Sequence, residues 1–109
     1  MKPFELYISY ISWGNDGKYR PLLVFALKDE TAFVYPVTSQ YESKSETIRA
    51  IYFRIDDWTH AGLDKQSYVD IGRYFPVPVS ALKDRTPIGE LSTEDKQRLL
   101  EFITKRRCV

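Results

Sequence analysis

Apolar and aromatic runs alternate with short polar segments along the first half of the chain. Residues 6–13 (LYISYISW) are rich in Ile and Tyr and predict a strand, which the turn residues 14–17 (GNDG) bring to an end. Residues 22–27 (LLVFAL) form a continuous apolar run, typical of a strand covered on both faces. After a short polar connection, residues 32–37 (AFVYPV) predict the second strand of a hairpin. Pro36 cannot donate to a ladder, so this strand is expected at a sheet edge or near its own end there.

The middle of the chain gives less regular patterns. Residues 48–55 (IRAIYFRI) are compatible with a strand or a helix, and their aromatic and Ile content favours a strand. The predicted order here is an exposed polar loop over 38–47, the strand over 48–55, a turn with a short helical piece over 56–66, strands over 67–71 and 74–79, and an extended piece over 85–91.

A helix is predicted at the C-terminal end. Ser92 suits the N-cap, and the acids that follow complement the helix dipole, with Asp95 at the capping-box position. The helix is expected to run to about Lys105 and to carry one apolar face: Leu99, Phe102 and Ile103. Many short strands followed by one helix predict a single mainly β domain over residues 1–109. Its expected architecture is a small barrel, or strongly bent antiparallel sheet, with a docked C-terminal α-helix.

Composition and charge restrict the function classes. The 109 residues suit one domain, and the net charge of +1 provides no general attraction for polyanions, so RNA would have to meet a local basic patch. A single cysteine, Cys108, excludes an internal disulfide and fits a reducing compartment. The first residues do not read as a signal peptide, and no apolar run approaches the roughly 20 residues needed to cross a bilayer. We expect a cytoplasmic protein without a membrane partner.

Familiar catalytic signatures are absent from the sequence. One cysteine and one histidine cannot build a zinc site alone, and no phosphate-binding or dinucleotide-binding motif occurs, so no metal and no cofactor are expected. His60 is the one histidine of the sequence and has no nearby partner in sequence, and a lone histidine is more often structural or solvated than catalytic. Cys108 reads as an ordinary surface thiol.

Two short segments are better placed for chemistry. Residues 18–21 (KYRP) are predicted to form a loop that leads into the strand 22–27, and Thr38 and Ser39 follow the neighbouring strand. In a hairpin the start of one strand lies beside the end of the other, so Arg20 and Thr38 would face each other at one rim of the sheet. An arginine fork beside two hydroxyls suits a phosphate. The alternative is that Arg20 is only a flanking charge and that residues 38–39 are only a strand terminus.

Four segments together resemble the MazF/PemK family of type II toxin–antitoxin endoribonucleases. GKYRPLLVF (17–25) is similar to the loop G-x-R-P that opens an apolar strand in that family, and YPVTSQ (35–40) resembles its later strand ending P-[IV]-T-S. PIGELSTEDKQRLLEFI (87–103) resembles the strand-to-helix ending of the family. SYVDIGRYFPVPVSAL (67–82) stands where members have a strand with an Asp and an Arg. The resemblance covers nearly the whole chain in order.

The resemblance implies an SH3-like barrel with a C-terminal helix, usually assembled as a homodimer. It implies a ribonuclease that cuts single-stranded RNA, such as mRNA, without metal and leaves a 2′,3′-cyclic phosphate and a 5′-OH. It also implies a small antitoxin protein that neutralises the enzyme by covering the RNA groove. Contact with DNA would come only indirectly, through that antitoxin.

The resemblance also assigns roles to individual residues. Arg20 matches the catalytic arginine, which acts on the scissile phosphate and in proton transfer, while Thr38 matches the threonine that stabilises the transition state and Ser39 its neighbour. Asp70 and Arg73 match a catalytic or RNA-binding pair less closely, and an ion pair within the barrel explains them equally well. Further RNA contacts are expected from three residues, a phosphate-binding lysine, a stacking tyrosine and an amide: Lys18, Tyr19 and Gln40.

Two other functions fit the same residues. A catalytically silent barrel could bind RNA or a partner peptide, which the near-neutral charge favours. A purely structural domain would explain the fold but not the grouping of Arg20, Thr38 and Ser39 at one rim of the sheet.

The first strand also lacks the G-D-[IV] opening common in the family.

Overall fold

The computed structural model of the protein describes residues 1–13, 15–82 and 86–107. Three features raised by the sequence lie outside these residues: Gly14 in the first turn, Arg85 at the start of the last extended piece, and Cys108. Within the described ranges the elements, in chain order, are β1 (Glu5–Trp13), β2 (Asp16–Lys28), β3 (Thr31–Thr38), α1 (Glu46–Arg49), β4 (Tyr52–Arg54), β5 (Tyr68–Asp70), β6 (Phe75–Pro78), α2 (Val79–Leu82), β7 (Gly89–Glu90) and α3 (Thr93–Arg107).

The strands pair in an antiparallel sheet with the order β4-β5-β3-β2-β1-β7. The outer edge of β3 changes partner along its length: residues 31–34 pair with β6, and Val37 and Thr38 pair with β5. An irregularity in the β2–β3 ladder between Val24 and Ala26 adds one residue to β2, and such bulges bend the bulged strand. The predicted mainly β, strongly bent antiparallel sheet with a C-terminal helix is confirmed. The sheet is curled into a half-barrel.

Both faces of the central strands are covered, as the continuous apolar run in β2 predicts. Leu23, Tyr35 and Val37 belong to a cluster that includes Leu99 and Ile103 of α3. The alternate residues of the same strands form a second cluster on the other face, which α2 closes: Tyr7, Leu22, Val24, Ala32, Val34 and Leu82. Because these side chains are almost fully inaccessible to solvent, β2 and β3 are rigid supports for groups at their ends.

The β2–β3 hairpin forms as predicted, and Asp29 adopts a φ of 57° in its turn. Aspartate is one of the few non-glycine residues that visit this left-handed region. Pro36 lies two residues before the end of β3, as expected, although the strand is interior to the sheet. The proline falls at the point where the outer edge passes from β6 to β5.

The structure corrects three sequence expectations about local structure. Residues 18–21 form part of β2 rather than a loop, because they pair with β1: Arg20 lies opposite Ser9 and Pro21 opposite Ile8. The strand expected over 48–55 begins only at Tyr52, because the Ser45 side chain accepts a bond from the Ile48 N–H at 3.3 Å and caps the short helix α1. The strand expected over 74–79 similarly ends at Pro78, where α2 follows.

Helix α3 begins as predicted. The Asp95 N–H donates to the Ser92 Oγ at 3.2 Å. The Asp95 carboxylate is buried and accepts bonds from the Asp57 N–H at 2.8 Å and the Asp56 N–H at 3.4 Å. The Arg98 Nη1 donates to the same carboxylate at 2.7 Å. Ser92 therefore caps the helix, and the Asp95 carboxylate holds the turn at residues 56–57 against its first turn.

Residues 56–66 form consecutive turns that pack against β7. Gly62 has a φ of 83°, and a Cβ placed on it would lie 1.9 Å from the Ile88 carbonyl oxygen. Only glycine permits this approach. The turn segment is thus held against the sheet and positions residues 63–67 beside the ends of β2 and β3. Within the described residues, no helix is long and apolar enough to cross a membrane.

Candidate functional site

The ends of β2 and β3 bring Arg20 and Thr38 together. Leu22 pairs with Pro36 in the antiparallel ladder, and extending that register by two residues sets Arg20 opposite Thr38. Residues opposite each other in such a ladder project from the same face. On its other edge, Thr38 pairs with Tyr68 of β5. The threonine is therefore held between two strands, and the half-buried Arg20 side chain stands beside it.

The Thr38 hydroxyl is oriented by the chain that follows it. Its Oγ1 accepts a hydrogen bond from the Gln40 N–H at 3.0 Å, and the residue is only 9% exposed. A hydroxyl has one proton and two acceptor lone pairs. Since the backbone bond occupies a lone pair, the proton stays available for donation to an oxygen atom bound in front of the strand end.

Two cavities meet at Arg20 and Thr38. The smaller cavity, of about 110 Å³, is lined by Arg20, Pro36, Thr38, Gln40, Lys44, Tyr52, Asp70, Arg73 and Phe75. The larger cavity, of about 260 Å³, is lined by Lys18, Tyr19, Arg20, Pro21, Val37, Thr38, Ser39, Gln40, Leu63, Asp64, Lys65 and Ser67. Arg20, Thr38 and Gln40 line both. The described structure thus places all eight residues singled out by the sequence around one bipartite cleft.

Asp70 and Arg73 lie in the wall of the smaller cavity as a loose ion pair. The Arg73 Nε is 3.8 Å from the Asp70 Oδ2, and the arginine side chain is 73% exposed whereas the carboxylate is 13% exposed. The other carboxylate oxygen of Asp70 accepts a bond from the Gly72 N–H at 2.9 Å. This contact fixes the aspartate in a local turn after β5, so the pair has a structural role as well as a position in the cleft.

The pKa of the Tyr52 hydroxyl, in β4, depends on the charged groups around the smaller cavity. Burial and, next, the Asp70 carboxylate raise the pKa of the Tyr52 hydroxyl above its ordinary value. Arg73 and Arg20 act against this increase, because positive charges favour the phenolate. The phenol stays protonated at neutral pH and can donate a hydrogen bond into a cleft that holds both a carboxylate and two guanidinium groups.

A tyrosine cluster beside the smaller cavity was missed by the sequence reasoning. The Tyr41 and Tyr68 rings stack with centroids 4.3 Å apart and an interplanar angle of 13°, and Tyr52 lies 6.4–6.5 Å from both. Arg49 covers the Tyr41 ring and donates to the Tyr41 and Glu42 carbonyl oxygens. The signal was the repeated tyrosine at 41, 52 and 68, but nothing in the spacing indicated that the three rings meet.

Cations and one exposed aromatic pair extend the larger cavity. Lys18 and Tyr19 lie on its β2 side, and Lys65 lies on the opposite turn segment. The Tyr19 ring is 65% exposed and makes an edge contact with Tyr10, at 5.2 Å between centroids. Tyr10 and Lys65 were not foreseen. An exposed ring supported by a second ring offers a flat apolar surface beside positive charge.

His60 lies exposed in the turn segment and outside both cavities. Within residues 1–13, 15–82 and 86–107, no cluster of three or more His, Cys, Asp or Glu residues could hold a metal ion. The described lining of the cleft offers guanidinium groups, ammonium groups, hydroxyls and single carboxylates.

The fold is similar to that of a solved toxin structure. Aligned with the Mycobacterium tuberculosis toxin MazF-mt6, the chain gives a TM-score of 0.69 at 22% identity, over 93% of this chain and 93% of that chain. No protein-family model and no curated protein sequence matches the chain. The likeness shows that the chain has a MazF-like fold, as the sequence resemblance predicted.

Proposed function

We propose that this protein is a toxin-type endoribonuclease that cleaves single-stranded RNA, with Arg20 and Thr38 at its centre. The observation that carries the proposal is the juxtaposition of Arg20 and the Thr38 hydroxyl at two adjacent strand ends, where two cavities meet. Similarity to a MazF toxin fold supports the same reading.

The cleft supplies stabilisation of charge, and the RNA supplies the nucleophile. The ribose 2′-hydroxyl gives its proton to a water molecule as its oxygen attacks the adjacent phosphorus. The bond from phosphorus to the 5′-oxygen then breaks, and that oxygen takes up a proton from water. The products are a 2′,3′-cyclic phosphate and a 5′-OH. Because the nucleophile belongs to the substrate, the reaction requires no metal-bound water.

Arg20 and Thr38 have complementary tasks in this step. The guanidinium donates paired hydrogen bonds to the non-bridging phosphate oxygens, and the Thr38 O–H adds a donor where negative charge accumulates. The resemblance further gives Arg20 a part in the proton transfer. Ser39 and Gln40 extend the polar wall of the larger cavity, while Asp70 and Arg73 contact RNA or adjust the charge in the smaller one.

The flanking cavities suit a single strand. Lys18 provides a phosphate contact and the exposed Tyr19 a stacking surface for a base, a combination typical of single-strand binding. We also propose, from the toxin class, a cytoplasmic homodimer whose activity is neutralised by a small antitoxin protein that covers this cleft. Light scattering on the purified protein tests the dimer, and loss of RNA cleavage on addition of the product of an adjacent short reading frame tests the antitoxin.

The central test compares the parent with Arg20→Ala and Arg20→Lys on a long single-stranded RNA in EDTA. We expect cyclic-phosphate ends from the parent, and a rate lower by about 10²–10³ for Arg20→Ala, the usual loss when one charge-stabilising group is removed. Arg20→Lys keeps the positive charge but lacks the paired N–H donors of the guanidinium, so its rate should lie between those of the parent and Arg20→Ala. Lys28→Ala, an exposed cation at the far end of β2, serves as control.

Each outcome separates the candidate functions. A parent that binds RNA without cutting it would favour the silent RNA-binding barrel. A parent that neither binds nor cuts RNA would overturn the proposal. Equal cleavage by the parent and Arg20→Ala would show that the Arg20 mechanism is wrong.

A further inference from the structure

A third hollow adjoins the cleft on the side of α3. It has a volume of about 310 Å³ and is called the helix groove below; its lining residues are Tyr52, Phe53, Arg54, Arg98, Glu101, Phe102 and Lys105. Tyr52 also lines the smaller cavity. Arg20, Thr38 and Gln40 line both the larger and the smaller cavity, and Tyr52 lines both the smaller cavity and the helix groove.

The charge of the helix groove is predominantly positive. It carries three cations and one anion, and its cations are displayed on two different elements, β4 and α3. Arg98 forms ion pairs with Asp95 at 2.7 Å and Asp56 at 3.2 Å, so its main role is to hold the turn at residue 56 against α3. The Arg54 side chain is 65% exposed and 3.5 Å from Asp56, and Lys105 is exposed on the same face of α3 as Arg98.

The positive groups stand beside aromatic surface. Phe102 is half-buried in the groove and has its ring against Phe53 at 5.6 Å between centroids, while Tyr52 lines both the groove and the smaller cavity. Cations that track a backbone, next to rings on which bases stack, are the usual construction of a single-strand binding surface. Arg98 and Lys105 are separated by about two turns of helix, or about 10 Å along its axis.

We propose that the helix groove is a second RNA-binding segment that holds the single strand after it passes Tyr52 out of the cleft. Arg54 and Lys105 contact its phosphates, and Tyr52 stacks against a base at the junction. This inference rests on the proposed function, since it extends the same RNA strand beyond the scissile phosphate. The occupant we propose is RNA, because the groove shares Tyr52 with the proposed RNA cleft and because its exposed charge is cationic.

The experiment measures binding separately from cleavage. Fully 2′-O-methylated RNA cannot be cut, because its attacking oxygen is blocked, and it is used as two oligonucleotides of about 5 and about 15 nucleotides, within the range of known single-strand sites. The test variant is the double substitution Arg54→Ala with Lys105→Ala. The matched control is Lys2→Ala with Lys28→Ala, which also removes one ion-paired and one exposed cation.

We expect the test variant to bind the longer oligonucleotide about tenfold more weakly than the parent and the shorter one equally well. Its salt dependence on the longer RNA should also fall by about 1.4 in log–log slope, the value for two released counterions on a single strand. The control should match the parent on both oligonucleotides. Unchanged affinity for the longer RNA, or equal loss on both lengths, would overturn the inference.

Cleavage of unmodified RNA by the parent is measured in parallel. If the parent cuts RNA but the double variant binds the longer oligonucleotide normally, the helix groove alone is excluded and the proposed function stands. If the parent binds with the expected length dependence yet never cuts, the groove stands and the endoribonuclease proposal fails. A parent that binds neither oligonucleotide overturns both.

Discussion

The two walls of the cleft are built in different ways. Arg20 and Thr38 stand on long strands, of 13 and 8 residues, whose alternate side chains are buried in two separate clusters. The opposite wall, from residue 39 to residue 75, uses the four-residue helix α1 and the three-residue strands β4 and β5. The first wall is rigid through packing, whereas the second depends on individual polar contacts.

The contacts of the second wall can be identified. Arg49 fixes the loop after Thr38 through the Tyr41 and Glu42 carbonyl oxygens, and Asp95 fixes the turn at 56–57 from α3. The proposed reacting groups, Arg20 and Thr38, therefore lie where packing of the sheet allows least movement. The rest of the cleft lies on segments that single substitutions can alter. Such segments are where substrate preference can change without loss of the fold.

The first prediction concerns the Thr38 hydroxyl on the rigid wall and has the largest expected effect. Thr38→Val removes the hydroxyl at nearly constant volume, so we expect RNA cleavage to fall by about 10²–10³, as when one transition-state donor is lost. Stability should fall by only about 1 kcal/mol, since the variant also loses the acceptor for the Gln40 N–H. Single-turnover cleavage rates and urea unfolding measure the two quantities.

Thr38→Ser provides the control because it keeps the hydroxyl. It should cut RNA far faster than Thr38→Val. A valine variant that cleaves at a rate close to the parent would show that the hydroxyl is not used, and the importance of the β3 end would then be purely structural.

The second prediction tests the polar anchoring of the other wall. Asp95→Asn leaves one acceptor oxygen and puts an amide where a carboxylate receives the Asp57 N–H and Arg98. We expect the free energy of unfolding to fall by about 1.5–3 kcal/mol, the range for a hydrogen bond to a charged group. Urea unfolding measures this loss.

Glu94→Gln is the matched control, since Glu94 is an exposed acid in the same first turn of α3. It should change stability by a few tenths of a kcal/mol at most, in keeping with an exposed helix-dipole interaction. If the two variants were equally stable, the anchoring role of Asp95 would be refuted.

The third prediction concerns the field inside the cleft and has the smallest effect. The Asp70 charge contributes to the raised pKa of Tyr52, so Asp70→Asn should lower the pKa of the Tyr52 hydroxyl. Arg73→Gln should raise that pKa further, because the arginine acts in the opposite direction. The pH dependence of the Tyr52 ring carbon resonance measures both, and shifts in the reverse directions would place these charges elsewhere.

The sequence alone was sufficient for the central hairpin and for α3. The apolar run 22–27, the following strand and the Ser92 cap each depend on short-range pattern, and the structure confirms all three. The facing of Arg20 and Thr38 followed from the hairpin register. Their chemical roles stay a prediction, as do those of Lys18, Tyr19, Ser39, Gln40, Asp70 and Arg73.

Tertiary structure decided the rest of the cleft. A strand of three residues, such as β4, has too little periodic pattern to be distinguished from the end of a helix, and it is defined by its pairing with β5. Tyr41, Tyr52 and Tyr68 are distributed over 28 positions of sequence and meet only because β3, β4 and β5 lie side by side. Local propensity determines the long elements, whose apolar residues form a readable pattern over many positions. Short elements and the contacts between distant segments are determined by the packing of the whole chain.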